Sequence, residues 1–211
     1  MGFDINSFFR DLSIMALPFL FAITIHEASH GYAAYFLGDD TAKRYGRLSL
    51  NPIKHIDIFG LIFLFVTRLF GWAKPVPVDF GKLRNRKYGP AIVAFAGPLS
   101  NFLLAVISAI LLHVLNLIHF SPIVIAKIIK PIVMMLFFSV QINIALGIFN
   151  LIPILPLDGG RILQSFLPLN AAYRYSQSER YGFLIIIFLL ITNVIDNVIF
   201  PIINFFIRLL I

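Results

Sequence analysis

Two histidines four residues apart, with a glutamate directly after the first, stand in the string His26-Glu27-Ala28-Ser29-His30. On a helix, positions i and i+4 share one face, so both imidazoles can meet one ion. The pattern is HExxH: two imidazoles for a zinc ion, with the intervening carboxylate placed to deprotonate a metal-activated water. On a soluble helix the same residues would be an ordinary solvated face. Here they lie in a run, Leu12 to Gly38, whose one formal charge is Glu27. An unpaired carboxylate at bilayer depth costs roughly 2.5–3.5 kcal/mol even on a lenient insertion scale. Three polar groups within five residues at that depth need a shared partner, and a metal ion supplies one.

Catalytic zinc keeps three protein ligands and one open position. The chain has no cysteine, so thiolate ligands and disulfides are both excluded. His55 lies in a basic loop, and His113 and His119 lie toward the far end of a long apolar run, none beside a second candidate ligand. Asp158 is better placed, in Asn150-Leu151-Ile152-Pro153-Ile154-Leu155-Pro156-Leu157-Asp158-Gly159-Gly160. Pro153 and Pro156 break the helix, and the two glycines free the backbone around the carboxylate. Non-helical backbone at membrane depth is tolerated where it is buried in protein or lines a polar cavity. The competing reading is a turn aspartate in a Pro/Gly-rich loop. Depth decides between them. His30 precedes Gly38 by eight residues, about 12 Å below the end of its helix. Asp158 lies at the corresponding end of its own apolar run. The expectation is one zinc per chain on His26, His30 and Asp158, with Glu27 as general base.

The elements that must position these residues follow from composition. The chain has 211 residues, 59% of them hydrophobic and 13% charged, with mean hydropathy +0.91. That is too little charge to cover a soluble domain of this size, and the bilayer is its natural solvent. The net charge of +7 is read as orientation and contact with anionic lipid headgroups, not as nucleic-acid binding. No cleavable signal peptide is read at the N-terminus. Uncharged or nearly uncharged runs cover 12–38, 91–126, 131–157 and 181–207, the last interrupted by Asp196 and Pro201. The apolar run Ile58–Thr67 is too short to span and reads as re-entrant. With it re-entrant, 13 of the 17 Lys and Arg fall on one face, which the positive-inside rule makes cytoplasmic. The fold expected is an all-α polytopic membrane protein with about four to six transmembrane helices, a re-entrant segment and short membrane-associated β-strands. It is read as one domain over 1–211, with core motifs at about 15–170 and a C-terminal membrane segment at about 181–207.

The sequence resembles the site-2 protease family of intramembrane zinc metalloproteases. His26 to His30 matches its HExxH, and Asn150 to Gly160 matches its second motif, an Asn eight residues before the Asp of an Asp-Gly pair. The stretches Gly46–Pro52, Gly71–Val78 and Ala96–Asn101 are similar to the compact bacterial branch of that family. The resemblance covers residues 15 to 170 or so. It implies His26, His30 and Asp158 as zinc ligands, Glu27 as base and Asn150 as stabiliser of the tetrahedral intermediate. It leaves no room for a PDZ or nucleotide-sensing domain. The function implied is hydrolysis of peptide bonds in transmembrane or membrane-proximal proteins, by an integral multi-pass protein of the cell membrane whose site opens to the cytoplasm. A helical substrate hides its carbonyls and must unwind. Arg47–Leu50 and Pro75–Val78 are candidates for short strands, and Val76 and Val78 for an edge on which the substrate adds. Two rival readings use the same residues, a metal transporter and a catalytically inactive binding protein. A transporter would show paired broken helices in repeated halves, and no such repeat is visible.

Overall fold

The computed structural model describes residues 5–58, 60 and 74–211. Helix α1 (Ile5–Phe36) carries the HExxH motif in its second half. It ends where the glycine at position 38 takes φ +107°. The Gly38 N–H donates to Tyr35 O and the Asp39 N–H to Ala34 O, at 3.1 and 2.9 Å. This is a Schellman ending, which needs a left-handed residue and satisfies the last carbonyls.

Asp39 then organises the basic loops. It is fully buried. One carboxylate oxygen accepts from Thr41 N–H and Thr41 Oγ1, the other from Asp79 N–H at 2.7 Å. Burial alone would push this carboxyl up. The hydrogen bonds from Thr41 and Asp79 and the charge of Lys82 outweigh it and hold the group below the ordinary carboxylate range. Arg84 N–H donates to Leu37 O at 2.9 Å, and Lys82 Nζ to Thr41 Oγ1 at 3.0 Å. The two basic loops are thereby tied together at one end of α1. Helix α2 (Thr41–Arg44) is a single turn within the first of them.

Helices α3 (Gly89–Leu117) and α4 (Pro122–Asn150) are both long and apolar enough to cross a membrane. Helices α5 (Asp158–Phe166) and α6 (Leu169–Ser176) are short. Helix α7 (Glu179–Ile191) and helix α8 (Ile195–Leu210) form a pair bent by 74°, a third candidate span if taken as one. The break is at Thr192–Val194, where Asn193 has φ 56°. Asn is one of the few non-glycine residues that tolerate this conformation.

Helices α1, α3 and α4 pack on one another, and α8 on α4. The contact between them is lined by small residues, with Ala91, Ala94, Gly97, Ala105 and Ala109 all buried on α3. A Cβ on Gly147 of α4 would lie 2.8 Å from the Phe102 ring. Small residues let helix backbones approach closely, which is how helices associate where lipid removes the hydrophobic drive. The large side chains point the other way: Ile92, Phe95, Leu99, Leu103, Ile107 and Ile110 of α3 are all exposed. An apolar exterior around a small-residue interior suits lipid as solvent.

The described residues thus bear out the helical class with two or three candidate spans, fewer than the four to six expected. No strand forms among them. Pro75–Val78 has no regular secondary structure and makes no ladder. Pro75 and Pro77 have no N–H to give, and the N–H of Val76 is committed elsewhere. Residues 47–50 are linked to this segment by the Arg47 guanidinium, which donates to Lys74 O and Pro75 O at 2.8 and 3.2 Å. Most of the expected re-entrant run, Ile58–Thr67, lies outside the described residues. Its flanks do not: Lys74 N–H donates to His55 O at 2.9 Å.

Candidate metal centre

Helix geometry brings His26 and His30 together as their spacing requires, with Nε2 atoms 3.1 Å apart and rings nearly perpendicular at 85°. Asp158 arrives from a different element. Helix α4 stops at Asn150, the prolines at 153 and 156 carry the chain through a tight loop, and α5 starts at Asp158 itself. A carboxylate in the first turn is favoured by the helix dipole. Gly159 and Gly160 serve here by lack of bulk, and neither has positive φ. A Cβ at Gly159 would sit 2.2 Å from Leu151 O, and one at Gly160 2.5 Å from Leu155 N. The glycine pair lets the first turn of α5 lie directly on the preceding loop, which fixes where the carboxylate points.

Asp158 Oδ2 lies 3.2 Å from His26 Nε2 and 3.4 Å from His30 Nε2. Three ligand atoms of His26, His30 and Asp158 therefore converge, and all three side chains are largely shielded. Gly97 of α3 makes the space: a Cβ there would lie 2.4 Å from His30 Nε2 and 2.6 Å from His26 Cε1. His30 Nδ1 faces the backbone carbonyl of Val93 at 2.7 Å. A carbonyl can only accept, so the proton of neutral His30 sits on Nδ1 and Nε2 presents its lone pair inward. His26 Nδ1 faces Asn101 Oδ1 at 2.6 Å.

The residues fit a zinc ion. Two ligand atoms at zinc-binding distance in a tetrahedral set are about 3.3 Å apart, and the three separations here are 3.1, 3.2 and 3.4 Å. Asp158 Oδ2 is buried without a hydrogen-bond partner, a costly state for a carboxylate oxygen that a cation relieves.

Glu27, next to His26, places Oε2 2.9 Å from the N–H of Val76. Val76 is buried, with a methyl near Gly31 of α1, while Val78 packs with Ala34, Leu83 and Val93. Asn150 ends α4, where its Nδ2 donates to Leu146 O at 3.0 Å. His55 bonds to Ser49 O and His113 to Leu210 O, so neither joins the centre. Sequence reasoning assigned no role to Asn101, Gly97 or the Val76 N–H. Asn101 left a signal, a carboxamide inside the uncharged run 91–126. Gly97 stands with it in the Ala96–Asn101 stretch that carries the family resemblance, whereas the backbone groups leave no signal.

Residues 114–193 match the sequence model of peptidase family M50. YwhC of Bacillus subtilis, named as a zinc metalloprotease, is 37% identical over 190 residues, 90% of this chain and 85% of that protein. Rip2 of Mycolicibacterium smegmatis, also named as a zinc metalloprotease, is 29% identical over 89% of this chain and 70% of its own length. The zinc metalloprotease MJ0392 of Methanocaldococcus jannaschii is 26% identical over 82% of this chain, which spans 37% of that longer protein. No solved structure matches the chain significantly. A relative so similar over nearly the whole of both chains, joined to the family match across the segment that ends α4 and starts α5, places this chain in peptidase family M50, the site-2 proteases, as a zinc metalloendopeptidase.

Proposed function

We propose that His26, His30 and Asp158 hold one zinc ion, that Glu27 is the general base, and that the substrates are transmembrane or membrane-proximal proteins. The convergence of the three ligand atoms beside Glu27 carries this reading. Bound zinc supplies Lewis-acid chemistry, lowering the pKa of a water and polarising the scissile carbonyl. Glu27 takes the proton from that water and passes it to the leaving amine. Val76 N–H holds Oε2 of Glu27, which leaves Oε1 to accept the proton. Asn150 stabilises the oxyanion by giving a carboxamide N–H to it; one of its two N–H bonds is spent on Leu146 O, and the other is available.

The protein is proposed to cross the membrane several times as one domain over 1–211, with the basic loops cytoplasmic. The ties from Asp39, Lys82 and Arg84 support one face for both loops. The bond between Lys74 and His55 supports a run that leaves and returns at one place. An extended substrate is proposed to lie along Pro75–Val78, which is joined to Glu27 by the N–H of Val76.

Zinc content and peptide cleavage, measured together on wild type and Glu27→Gln, test the reading. Glu27→Gln keeps one zinc and loses proteolysis, while His26→Ala, His30→Ala and Asp158→Ala lose zinc. Full zinc occupancy in Asp158→Ala would remove Asp158 from the ligand set, and proteolysis by Glu27→Gln would remove the base.

A further inference from the structure

Two asparagines are fully buried among the apolar helices, Asn101 of α3 and Asn143 of α4. Burying a carboxamide is costly unless its groups are paired, and these are paired in a directed chain. Asn143 Nδ2 lies 2.9 Å from Ser139 O. Asn101 Nδ2 lies 3.4 Å from Ala22 O. A backbone carbonyl can only accept, so each of these contacts requires the NH2 end of its carboxamide. Asn143 therefore turns Oδ1 toward Asn101, and Asn101 Nδ2 donates to it at 2.8 Å. Asn101 is left with Oδ1 facing His26 Nδ1 at 2.6 Å. An oxygen there demands a proton on Nδ1, and the lone pair of His26 must then sit on Nε2, toward Asp158 and His30.

We propose that Asn143 and Asn101 are positioning residues that fix the tautomer of His26, with Asn143 acting through Asn101. The inference rests on His26 being a zinc ligand. His30 reaches the same state in one step, through Val93 O. His26 has no backbone carbonyl at its Nδ1, so a side chain supplies the acceptor, and a carboxamide is ambiguous until something fixes which end faces the ring. Asn143, from a third helix, makes the shorter of the two contacts that remove that ambiguity, at 2.8 Å against 3.4 Å for Ala22 O. The arrangement links the metal centre to the packing of α1, α3 and α4: a shift of α4 that broke the Asn101–Asn143 bond would leave only the longer 3.4 Å contact to Ala22 O to hold the carboxamide, weakening the preference for Oδ1 toward His26 and with it the hold on the Nδ1 proton.

The test uses the full chain in detergent micelles, with histidine labelled in both ring nitrogens. In zinc-free wild type, the nitrogen shifts of His26 report the proton on Nδ1. Asn143→Leu loses that preference and weakens zinc binding, read by chelator competition, by about 10–100-fold, the usual cost of losing an outer-shell partner. Asn143→Asp stays near wild type, because burial among apolar helices favours the protonated acid, whose O–H donates to Ser139 O while its carbonyl oxygen accepts from Asn101. Adding Asn101→Asp to Asn143→Leu restores both the tautomer and zinc affinity, since a carboxylate has no NH2 to turn toward His26. A purely structural tie between helices predicts the opposite, a double variant worse than either single one.

An unchanged tautomer and affinity in folded Asn143→Leu would overturn the proposal, as would a wild-type His26 carrying its proton on Nε2. The wild-type spectrum decides alone should the leucine variant fail to fold. His26→Ala keeps the two levels apart: retention of zinc there refutes His26 as a ligand, while loss of zinc there with silent asparagine variants refutes this inference only.

Discussion

Gly97→Ala isolates the space in which the imidazoles meet. The added Cβ would lie 2.4 Å from His30 Nε2 and 2.6 Å from His26 Cε1. Carbon contacts settle near 3.5 Å, so something must give by about 1 Å. The rings cannot retreat freely, because Asn101 Oδ1 and Val93 O hold their far sides at 2.6 and 2.7 Å. Metal-ligand distances tolerate only about 0.2 Å, and a misplacement of 1 Å at a reacting centre costs about 100-fold in rate. Helix propensity acts in the opposite direction, since alanine is favoured over glycine in a helix interior by up to ~1 kcal/mol. The variant should therefore remain folded, hold zinc at least tenfold more weakly and lose most of its proteolysis. Zinc content, chelator competition and cleavage of a membrane substrate are measured at matched folded concentration, set by thermal melting. Wild-type zinc affinity and activity in Gly97→Ala would show that the histidine nitrogens do not converge beside Gly97, and would refute the geometry of the centre.

The remaining expectations concern topology, substrate form and pH. Cysteines introduced at Asp40 and Lys82, in a chain with none of its own, should both label from the cytoplasmic side; labelling from opposite sides would refute the one-face arrangement. Substrates carrying Gly or Pro near the cut should be cleaved faster than their Leu variants, since a helix former there raises the cost of unwinding by about 1 kcal/mol relative to Gly and more relative to Pro. Changes at Val76 or Val78 should slow cleavage of membrane substrates more than that of a short extended peptide, and an unchanged ratio of the two rates would refute docking along Pro75–Val78. Asp39, whose carboxyl is held below its ordinary value, contributes stability that is present above the unfolded value of ~3.9 and lost as pH falls through its folded value. Melting temperature should therefore drop on acidification in wild type, with a shallower drop in Asp39→Asn; parallel profiles would show that Asp39 contributes nothing.

Helix breaks were legible where they rest on a missing donor and illegible where they rest on a tolerated conformation. Pro153 and Pro156 cannot continue α4, and the chain leaves the helix at Asn150. Asp196 and Pro201 interrupt the last apolar segment in sequence, yet the 74° bend falls at Thr192–Val194. Pro201 sits at the start of the final α-helical stretch, just after a wide turn at Ile195–Ile199, where it does little harm. The bend needs one left-handed residue, and Asn193 meets that need without the glycine that would have announced it. The strands failed for a related reason. Pro75 and Pro77 suit an edge strand, which can spare donors, but with the N–H of Val76 committed to Glu27 as well, the segment keeps too few donors and no ladder forms among the described residues.

The centre itself divides the same way. Side chains suited to a metal declare themselves by type and spacing, which makes His26, His30 and Asp158 legible as candidates, and the structure brings them together. What orients them is written largely in backbone: Val93 O behind His30, the N–H of Val76 on Glu27, the bare Cα of Gly97. The Pro-Val-Pro string gains a meaning only when folded. Of residues 75 to 77, Val76 alone has an N–H, and that N–H holds the carboxylate of Glu27. An extended peptide lying along this segment cannot take that donor without releasing the base. On the proposed docking it would pair instead through free carbonyls and the N–H of Val78, so that receiving substrate would not cost Glu27 its hydrogen bond.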